Sequence, residues 1–179
     1  LRASLGASRL AIQIDIGVGA AVHPAAEWLD YPGLLDLPAP RLKAYRKETV
    51  IAEKLHAMVR LGEINSRMKD FFDIHTLASR ENFDEAPLRN AILATFERRQ
   101  TPIPDGVPAA LSAPFPQSPE RQAQWRAFLL RSSLKSTPRQ FSAVFPLIVD
   151  FLLPVLEASR PGHPAAKRSW RAGGPWRPE

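Results

Sequence analysis

The chain has no cysteine among its 179 residues, which excludes disulfide frameworks, zinc–thiolate sites and thiol catalysis. Long apolar runs are also lacking. The longest candidate, residues 145–156, is interrupted by Pro146, Asp150 and Pro154, so we expect no membrane span and no membrane partner. The first four residues carry no apolar signal core, and we therefore expect a cytoplasmic protein.

Acidic residues are fewer than basic ones: 18 Asp and Glu stand against 24 Lys and Arg, a net charge of +6. A basic excess favours polyanionic partners, because contacts to phosphates release counterions. The alternative is that much of the excess lies in a solvated C-terminal tail. The basic residues of that tail are Arg160, Lys167, Arg168, Arg171 and Arg177.

The front of the chain has the period of a β-strand. Residues 9–18 alternate, with isoleucine and leucine on one side and Gln13 and Asp15 on the other. Residues 41–45 predict a second short strand after a loop rich in proline and glycine. Because an isolated hairpin is only marginally stable, and because the chain does not begin with methionine, we expect further strands upstream.

From Glu48 onward the period becomes helical. Gly62 is placed to end the first helix, and the residues after Ala158 are predicted to be disordered. The five predicted helices cover residues 49–61, 69–79, 85–98, 118–134 and 138–157.

Asp15 lies in the middle of the isoleucine-rich strand. A carboxylate flanked by β-branched residues is costly to bury unless it is paired or binds a metal ion. The alternative is a strand whose polar face meets water, with Gln13 beside Asp15.

Lys54 falls at the margin of the apolar face of the first helix, whereas Glu53, His56 and Arg60 fall on the opposite side. A lysine at such an edge can extend its ammonium outward to water. It can equally project a point charge into a cleft, where it would bind phosphate.

Two carboxylates occupy the core-facing side of the second helix: Asp70 falls inside its apolar stripe and Asp73 beside it. The alternative is that neither carboxylate is catalytic. Asp70 would then interact favourably with the helix N-terminus, and Asp73 would pair with Lys69 or Arg67. When the two carboxylates are considered together with Asp15 and Lys54, a catalytic set is the better interpretation of these residues.

These same segments resemble the AbiEii/AbiGii family of bacterial toxins. The strings that carry the resemblance are Gln-Ile-Asp-Ile-Gly at 13–17, Glu-Thr-Val-Ile-Ala-Glu-Lys-Leu at 48–55 and Asn-Ser-Arg-Met-Lys-Asp-Phe-Phe-Asp at 65–73. The similarity continues through residues 95–99 and 124–128 and into the Gly-Gly-Pro-Trp tail, so it covers nearly the whole chain.

The resemblance implies a nucleotidyltransferase toxin of a type IV toxin–antitoxin, or abortive-infection, system. Such an enzyme would transfer nucleotides from a nucleoside triphosphate to an acceptor, tRNA or another RNA, with Mg²⁺ as cofactor and a cognate antitoxin as partner. In that scheme Asp15 is a metal ligand. Lys54 holds the triphosphate, and Asp70 matches the acidic residue of the last motif as a catalytic residue, with Asp73 as the second candidate.

The fold class implied is α+β. We expect a partial nucleotidyltransferase core of the polymerase β kind at 1–62, a helical C-terminal domain at 63–158 and a basic, disordered tail at 159–179. The family's first motif, Gly-Ser followed by Asp-x-Asp, is not found before Arg9. We therefore expect this chain to be the C-terminal part of such a toxin and to be inactive by itself.

Two other functions remain open. The chain can be a gene remnant or a non-catalytic helical module that binds RNA or a protein through its basic surface. A metal-dependent nuclease using Asp15 and Glu53 is the weaker alternative, because their spacing fits no nuclease pattern.

Overall fold

The architecture is α+β, with small antiparallel sheets around a helical body. The computed structural model describes residues 2–14, 16, 22–33, 35–134, 137–163 and 166–178. In those residues the strands are β1 (Arg2–Leu5), β2 (Ser8–Ala11), β3 (Glu27–Asp30), β4 (Arg41–Ala44), β5 (Phe83–Asp84), β6 (Arg168–Trp170) and β7 (Trp176–Pro178). The helices are α1 (Lys47–Leu61), α2 (Met68–Arg80), α3 (Glu85–Arg98), α4 (Pro119–Arg131) and α5 (Phe141–Ala158).

The N-terminal strands form two separate antiparallel hairpins, β1–β2 and β3–β4. The second strand was predicted correctly, since β4 covers most of residues 41–45. The first prediction was too long: β2 ends at Ala11, and Ile12, Ile14 and Ile16 beyond it are exposed. In the described register Arg2 pairs with Ala11, the last residue of β2. Asp15 lies outside the described residues.

The five predicted helices are confirmed, with ends displaced by only a few residues. α1 ends as expected at Gly62, whose φ of 52° lies in the left-handed region that glycine tolerates. α1 packs on α3, and α2 packs on α5. One apolar core runs through all five helices, so α1, which we assigned to the N-terminal unit, shares its core with the helical unit. The division at residue 62 stays a prediction.

α5 is the most apolar helix, and its buried face includes Phe141, Ile148 and Phe151. By length and composition it is the one helix of the described residues that could cross a membrane, although half of it is buried inside the fold. The core helix of a soluble protein has these same properties. In this structure α5 packs against α2, α3 and α4, and its buried face is part of the apolar core.

The C-terminal tail is not disordered over residues 168–178, which corrects our expectation. β6 pairs with β5 and β7, and the Trp170 side chain is completely buried. Its indole Nε1 donates a hydrogen bond to the carbonyl of Ala78 at 2.8 Å, and Trp176 Nε1 donates to Phe151 O at 2.9 Å. The proline, glycine and arginine content predicted disorder, but two large aromatic rings bury enough apolar surface to order the hairpin.

Gly174 is required by this packing, and its replacement gives a direct test. In Gly174→Ala the new Cβ would lie 2.5 Å from a ring carbon of Trp170, at a residue whose φ is +75°. We expect a loss of roughly 2–4 kcal/mol in the free energy of unfolding, from overpacking and left-handed strain combined. Urea unfolding followed by tryptophan fluorescence measures it.

Gly162→Ala is the matched control, because Gly162 also has a positive φ, +80°, but has open space around it. It should lose only about 1 kcal/mol. Equal losses in the two variants would contradict the assigned packing of Trp170.

Candidate active site

Lys54 lies in the middle of α1, between core residues Ile51 and Leu55, with its side chain 16% exposed. The periodicity placed it at the edge of the buried face, and the structure agrees. Its ammonium points to α2 rather than out to water. α2 begins after a short turn in which Asn65 Oδ1 accepts a hydrogen bond from the backbone N–H of Arg67 at 3.0 Å. This turn sets the direction of α2 and brings Asp70, in its first turn, opposite Lys54.

The ammonium of Lys54 is held by both predicted carboxylates. Lys54 Nζ donates to Asp70 Oδ1 at 2.8 Å and lies 2.7 Å from Asp73 Oδ2. Arg67 Nε lies 2.9 Å from Asp70 Oδ2 in an ion pair that lacks the alignment of a hydrogen bond. Lys69 Nζ lies 2.6 Å from Asp73 Oδ2. We call these five residues the Lys54 cluster. It ties α1 to α2 across a largely buried ion pair.

Burial alone would lower the pKa of Lys54, but the hydrogen bonds and charges of Asp70 and Asp73 together outweigh it and raise the pKa above its ordinary value. The ammonium is therefore charged throughout the physiological range. A permanently charged, sterically fixed cation at this position is suited to binding an anionic group.

The cluster does not fit a resident divalent metal ion. Metal sites need several oxygen ligands that converge on one point, whereas the oxygens of Asp70 and Asp73 contact ammonium and guanidinium groups. Within the described residues there is no group of three or more His, Asp or Glu side chains arranged to bind a metal. Asp15, the predicted metal ligand, lies outside those residues.

An open cleft of about 640 Å³ lies along α1, and we call it the α1 cleft. Four cations line it, against two acids, Glu53 and Asp70, and both of these acids are already ion-paired. The lining residues are Tyr45, Thr49, Val50, Glu53, Lys54, His56, Ala57, Arg60, Leu61, Arg67, Asp70 and Arg99. A concave surface with excess positive charge attracts anions.

The arginines of the α1 cleft were not identified as site residues from the sequence. The period of α1 placed Arg60 on the outer face of that helix. Arg99 directly follows α3, and its Nη2 lies 2.9 Å from Glu53 Oε2. A pairing across 46 residues leaves no local signal in the sequence. Arg67, with a side chain 59% exposed, was considered only as a partner of the carboxylates.

His56 is also differently placed from the prediction, which put it on the side away from the core. It is buried, with its ring edge-on to Phe96 and its Nε2 2.9 Å from Thr101 Oγ1. Burial, followed by the charge of Arg99, lowers the pKa of His56, so this imidazole is neutral near pH 7. His56 is buried because α3 packs on α1 and covers a second face of that helix.

The raised pKa of Lys54 predicts how stability depends on pH. Because the pKa is higher in the folded than in the unfolded chain, the ammonium contributes fully below the unfolded value, about 10.4. That contribution is lost as pH rises through the folded value. We expect the difference in free energy of unfolding between the unaltered chain and Lys54→Gln to shrink above about pH 10.4, as measured by urea titrations.

Lys47→Gln is the control, since Lys47 lies on the same helix and pairs with Glu81 on a more exposed surface. Lys47→Gln should destabilise the chain by less than Lys54→Gln at neutral pH, because an exposed ion pair contributes little to stability. If the Lys54→Gln difference did not depend on pH, the cluster would not hold the ammonium as described.

Comparison with known proteins identifies the family. The family model described as "Nucleotidyl transferase AbiEii toxin, Type IV TA system" matches residues 1–146, a range that includes the Lys54 cluster and most of the helical body. No curated protein and no solved structure matches the chain. The family implies a nucleoside triphosphate substrate, usually a divalent metal ion, and a cognate antitoxin as partner. The resemblance found in the sequence is confirmed: the chain belongs to the AbiEii family of nucleotidyltransferase toxins of type IV toxin–antitoxin systems.

Proposed function

We propose that this protein transfers nucleotides from a nucleoside triphosphate to tRNA in the cytoplasm, and that the triphosphate binds in the α1 cleft over Lys54. The observation that carries the proposal is the ammonium of Lys54, fixed between two carboxylates in a cleft that also contains three arginines. Family membership supports the reaction class. We further propose that the N-terminal strands belong to a polymerase β-like core comprising residues 1–62.

The charge balance of the α1 cleft supports phosphate as the ligand. A triphosphate carries several negative charges at neutral pH, and its transfer is assisted mainly by positioning and by neutralisation of charge on the leaving pyrophosphate. Arg60, Arg67 and Arg99 are exposed, so their guanidinium groups can pair bidentately with phosphate oxygens. Lys54 supplies a point charge whose position does not depend on the ligand.

Asp70 acts as a positioning residue in this scheme. Its Oδ1 accepts the hydrogen bond of Lys54, and its side chain is only 5% exposed. A buried carboxylate that keeps an ammonium charged and oriented lowers the reorganisation needed when phosphate binds. Asp73, with contacts to both Lys54 and Lys69, shares this role.

The divalent ion usual in the family, for which we propose Mg²⁺, supplies charge neutralisation at the phosphates when it is bound. Mg²⁺ is commonly held largely by substrate phosphates. Since the described carboxylates are already engaged by cations, we assign none of them to the ion, and Asp15 stays the proposed ligand.

Nucleotide binding tests the proposal directly. Lys54→Ala should weaken binding of ATP, CTP, GTP and UTP by about tenfold or more, because a charge-assisted hydrogen bond contributes about 1.5–3 kcal/mol. Isothermal titration calorimetry on the chain measures the dissociation constants. Arg60→Ala, an exposed substitution that leaves the Lys54 cluster intact, should also weaken binding.

Lys47→Ala provides the matched control, because it removes a lysine from the same helix outside the α1 cleft. Its dissociation constants should stay within about twofold of those of the unaltered chain. If Lys54→Ala and Arg60→Ala were no worse than Lys47→Ala, the α1 cleft would not be the triphosphate site.

Transfer itself is measured in a version that supplies the Gly-Ser and Asp-x-Asp motif, because the 179 residues do not contain it and we propose that they transfer little without it. Labelled nucleoside triphosphates are incubated with tRNA, and the products are resolved on denaturing gels. Asp70→Asn should lower the rate by about 10²-fold, since the orientation and charge of Lys54 are no longer maintained. The loss of rate at alkaline pH should also begin at a lower pH, because burial then lowers the pKa of Lys54.

The control for transfer is Asp105→Asn, a substitution of the same type in an exposed loop. It should leave both the rate and the pH profile unchanged. A slow Asp70→Asn enzyme with an unshifted alkaline limb would show that Asp70 does not act through Lys54.

A further inference from the structure

A second cleft lies beside the α1 cleft, between the start of α2 and one face of α4. It measures about 560 Å³, and we call it the α4 cleft. The two clefts share Arg67 and Asp70, so ligands in them would be neighbours. The residues that line it are Ser66, Arg67, Met68, Lys69, Asp70, Gln124, Ala127, Phe128 and Arg131.

The α4 cleft is positively charged. Arg67, Lys69 and Arg131 contribute cations from two helical segments, and the single acid, Asp70, is neutralised by Lys54 and Arg67. Arg131 is exposed, and no ion-pair partner of Arg131 occurs in the part of the chain that the structure describes. Lys69 pairs with Asp73 and Arg67 with Asp70, so the charge of Arg131 is the one most available to a ligand from solution.

An aromatic ring lies among these cations. Phe128 is half-buried, and its position is held by Phe72 and Trp125, whose ring centroids lie 5.6 Å and 5.7 Å from its own. Cations beside an accessible ring, in an open groove, are the combination that binds single-stranded nucleic acids: basic groups contact the phosphates, and the ring stacks on a base.

We propose that the α4 cleft binds the strand end of the acceptor RNA, next to the triphosphate in the α1 cleft. The proposal deepens the proposed function and rests on it for the identity of the acceptor. Transfer requires an acceptor hydroxyl beside the reacting phosphate. Arg67 and Asp70 line both clefts, so an RNA end in the α4 cleft and a triphosphate in the α1 cleft would lie side by side there. A cation-lined groove with an aromatic ring suits a polynucleotide better than a compact anion, which has no base to stack.

Charge reversal at Arg131 tests the site without altering the Lys54 cluster. The probe is a 5′-labelled, 12-nucleotide single-stranded RNA whose binding to the chain is followed by fluorescence anisotropy at several salt concentrations. Arg131→Glu should weaken binding by about tenfold, and the slope of log affinity against log salt should fall by about 0.7 for the lost phosphate contact.

Arg126→Glu is the matched control, because Arg126 lies on the same helix, is also exposed and lines a different cavity. It should change the affinity by less than about threefold. If both reversals weakened binding equally, the effect would be one of general charge, and the α4 cleft would not be the site. An acidic polypeptide, polyglutamate, that displaced the RNA at equal charge concentration would likewise overturn the proposal.

Nucleotide binding separates failure of this proposal from failure of the proposed function. Arg131→Glu should bind nucleoside triphosphates as the unaltered chain does, and in the transfer assay it should raise KM for RNA more than it lowers kcat. Loss of RNA affinity in Arg131→Glu alone would support the α4 cleft even if Lys54→Ala bound nucleotides normally. Equal RNA binding by Arg131→Glu and the unaltered chain would overturn it, whatever the result at Lys54.

Discussion

The interaction on which the site depends is the ion pair between Lys54 of α1 and the carboxylates of Asp70 and Asp73 on α2. Largely buried charges are stable only when each has an opposite charge and good hydrogen bonds, because the cost of removing them from water is high. The ammonium likewise needs the carboxylates. The carboxylates cannot be left without the ammonium, so the relative position of α1 and α2 is specified closely, and both clefts are built on that junction.

The opposite end of α2 is held by the C-terminal hairpin. The carbonyl of Ala78 accepts hydrogen bonds from Trp170 Nε1 at 2.8 Å and from the backbone N–H of Gly173 at 2.9 Å. Arg168 of the same hairpin pairs with the buried Glu85 at the start of α3. The helix that carries Asp70 is therefore anchored at its first turn by charge and at its last turn by the tryptophan hairpin. Arg168, which we had assigned to a solvated tail, therefore has a structural role.

The two hairpins at the front contrast with this well-packed body. Their strands are exposed on both faces, and large apolar side chains such as Leu5, Leu35 and Trp28 contact water over much of their surface. Two-stranded sheets without a covering layer are marginally stable. Stability of the described residues thus resides in the helices and the C-terminal hairpin, and residues of the helices and their ends form most of the lining of both clefts. The proposed chemistry relies on these rigid elements, where side chains can be held in position.

The sequence by itself determined the helices and which of their faces are buried. The helical period of 3.6 residues is a local property, since it involves only residues one or two turns apart. It therefore predicted the five helices and the burial of Asp70 within an apolar stripe. The motif strings also identified the family, together with Lys54 and Asp70 as one set, although Asp15 lies outside the described residues. Periodicity could not tell whether Lys54 extends to water or to α2, because that depends on a contact 16 residues away.

Only the tertiary structure decided the remaining features, all of which depend on distant parts of the chain. Arg99 enters the α1 cleft through a contact across 46 residues, and Trp170 is buried against Ala78 across 92. Local composition predicted a disordered tail because it takes no account of the apolar surface that a distant helix offers. The burial of His56 follows from the packing of α3, which no pattern within α1 specifies. Local order follows from the sequence because its causes are local, whereas the charged walls of the clefts exist only after the helices have packed.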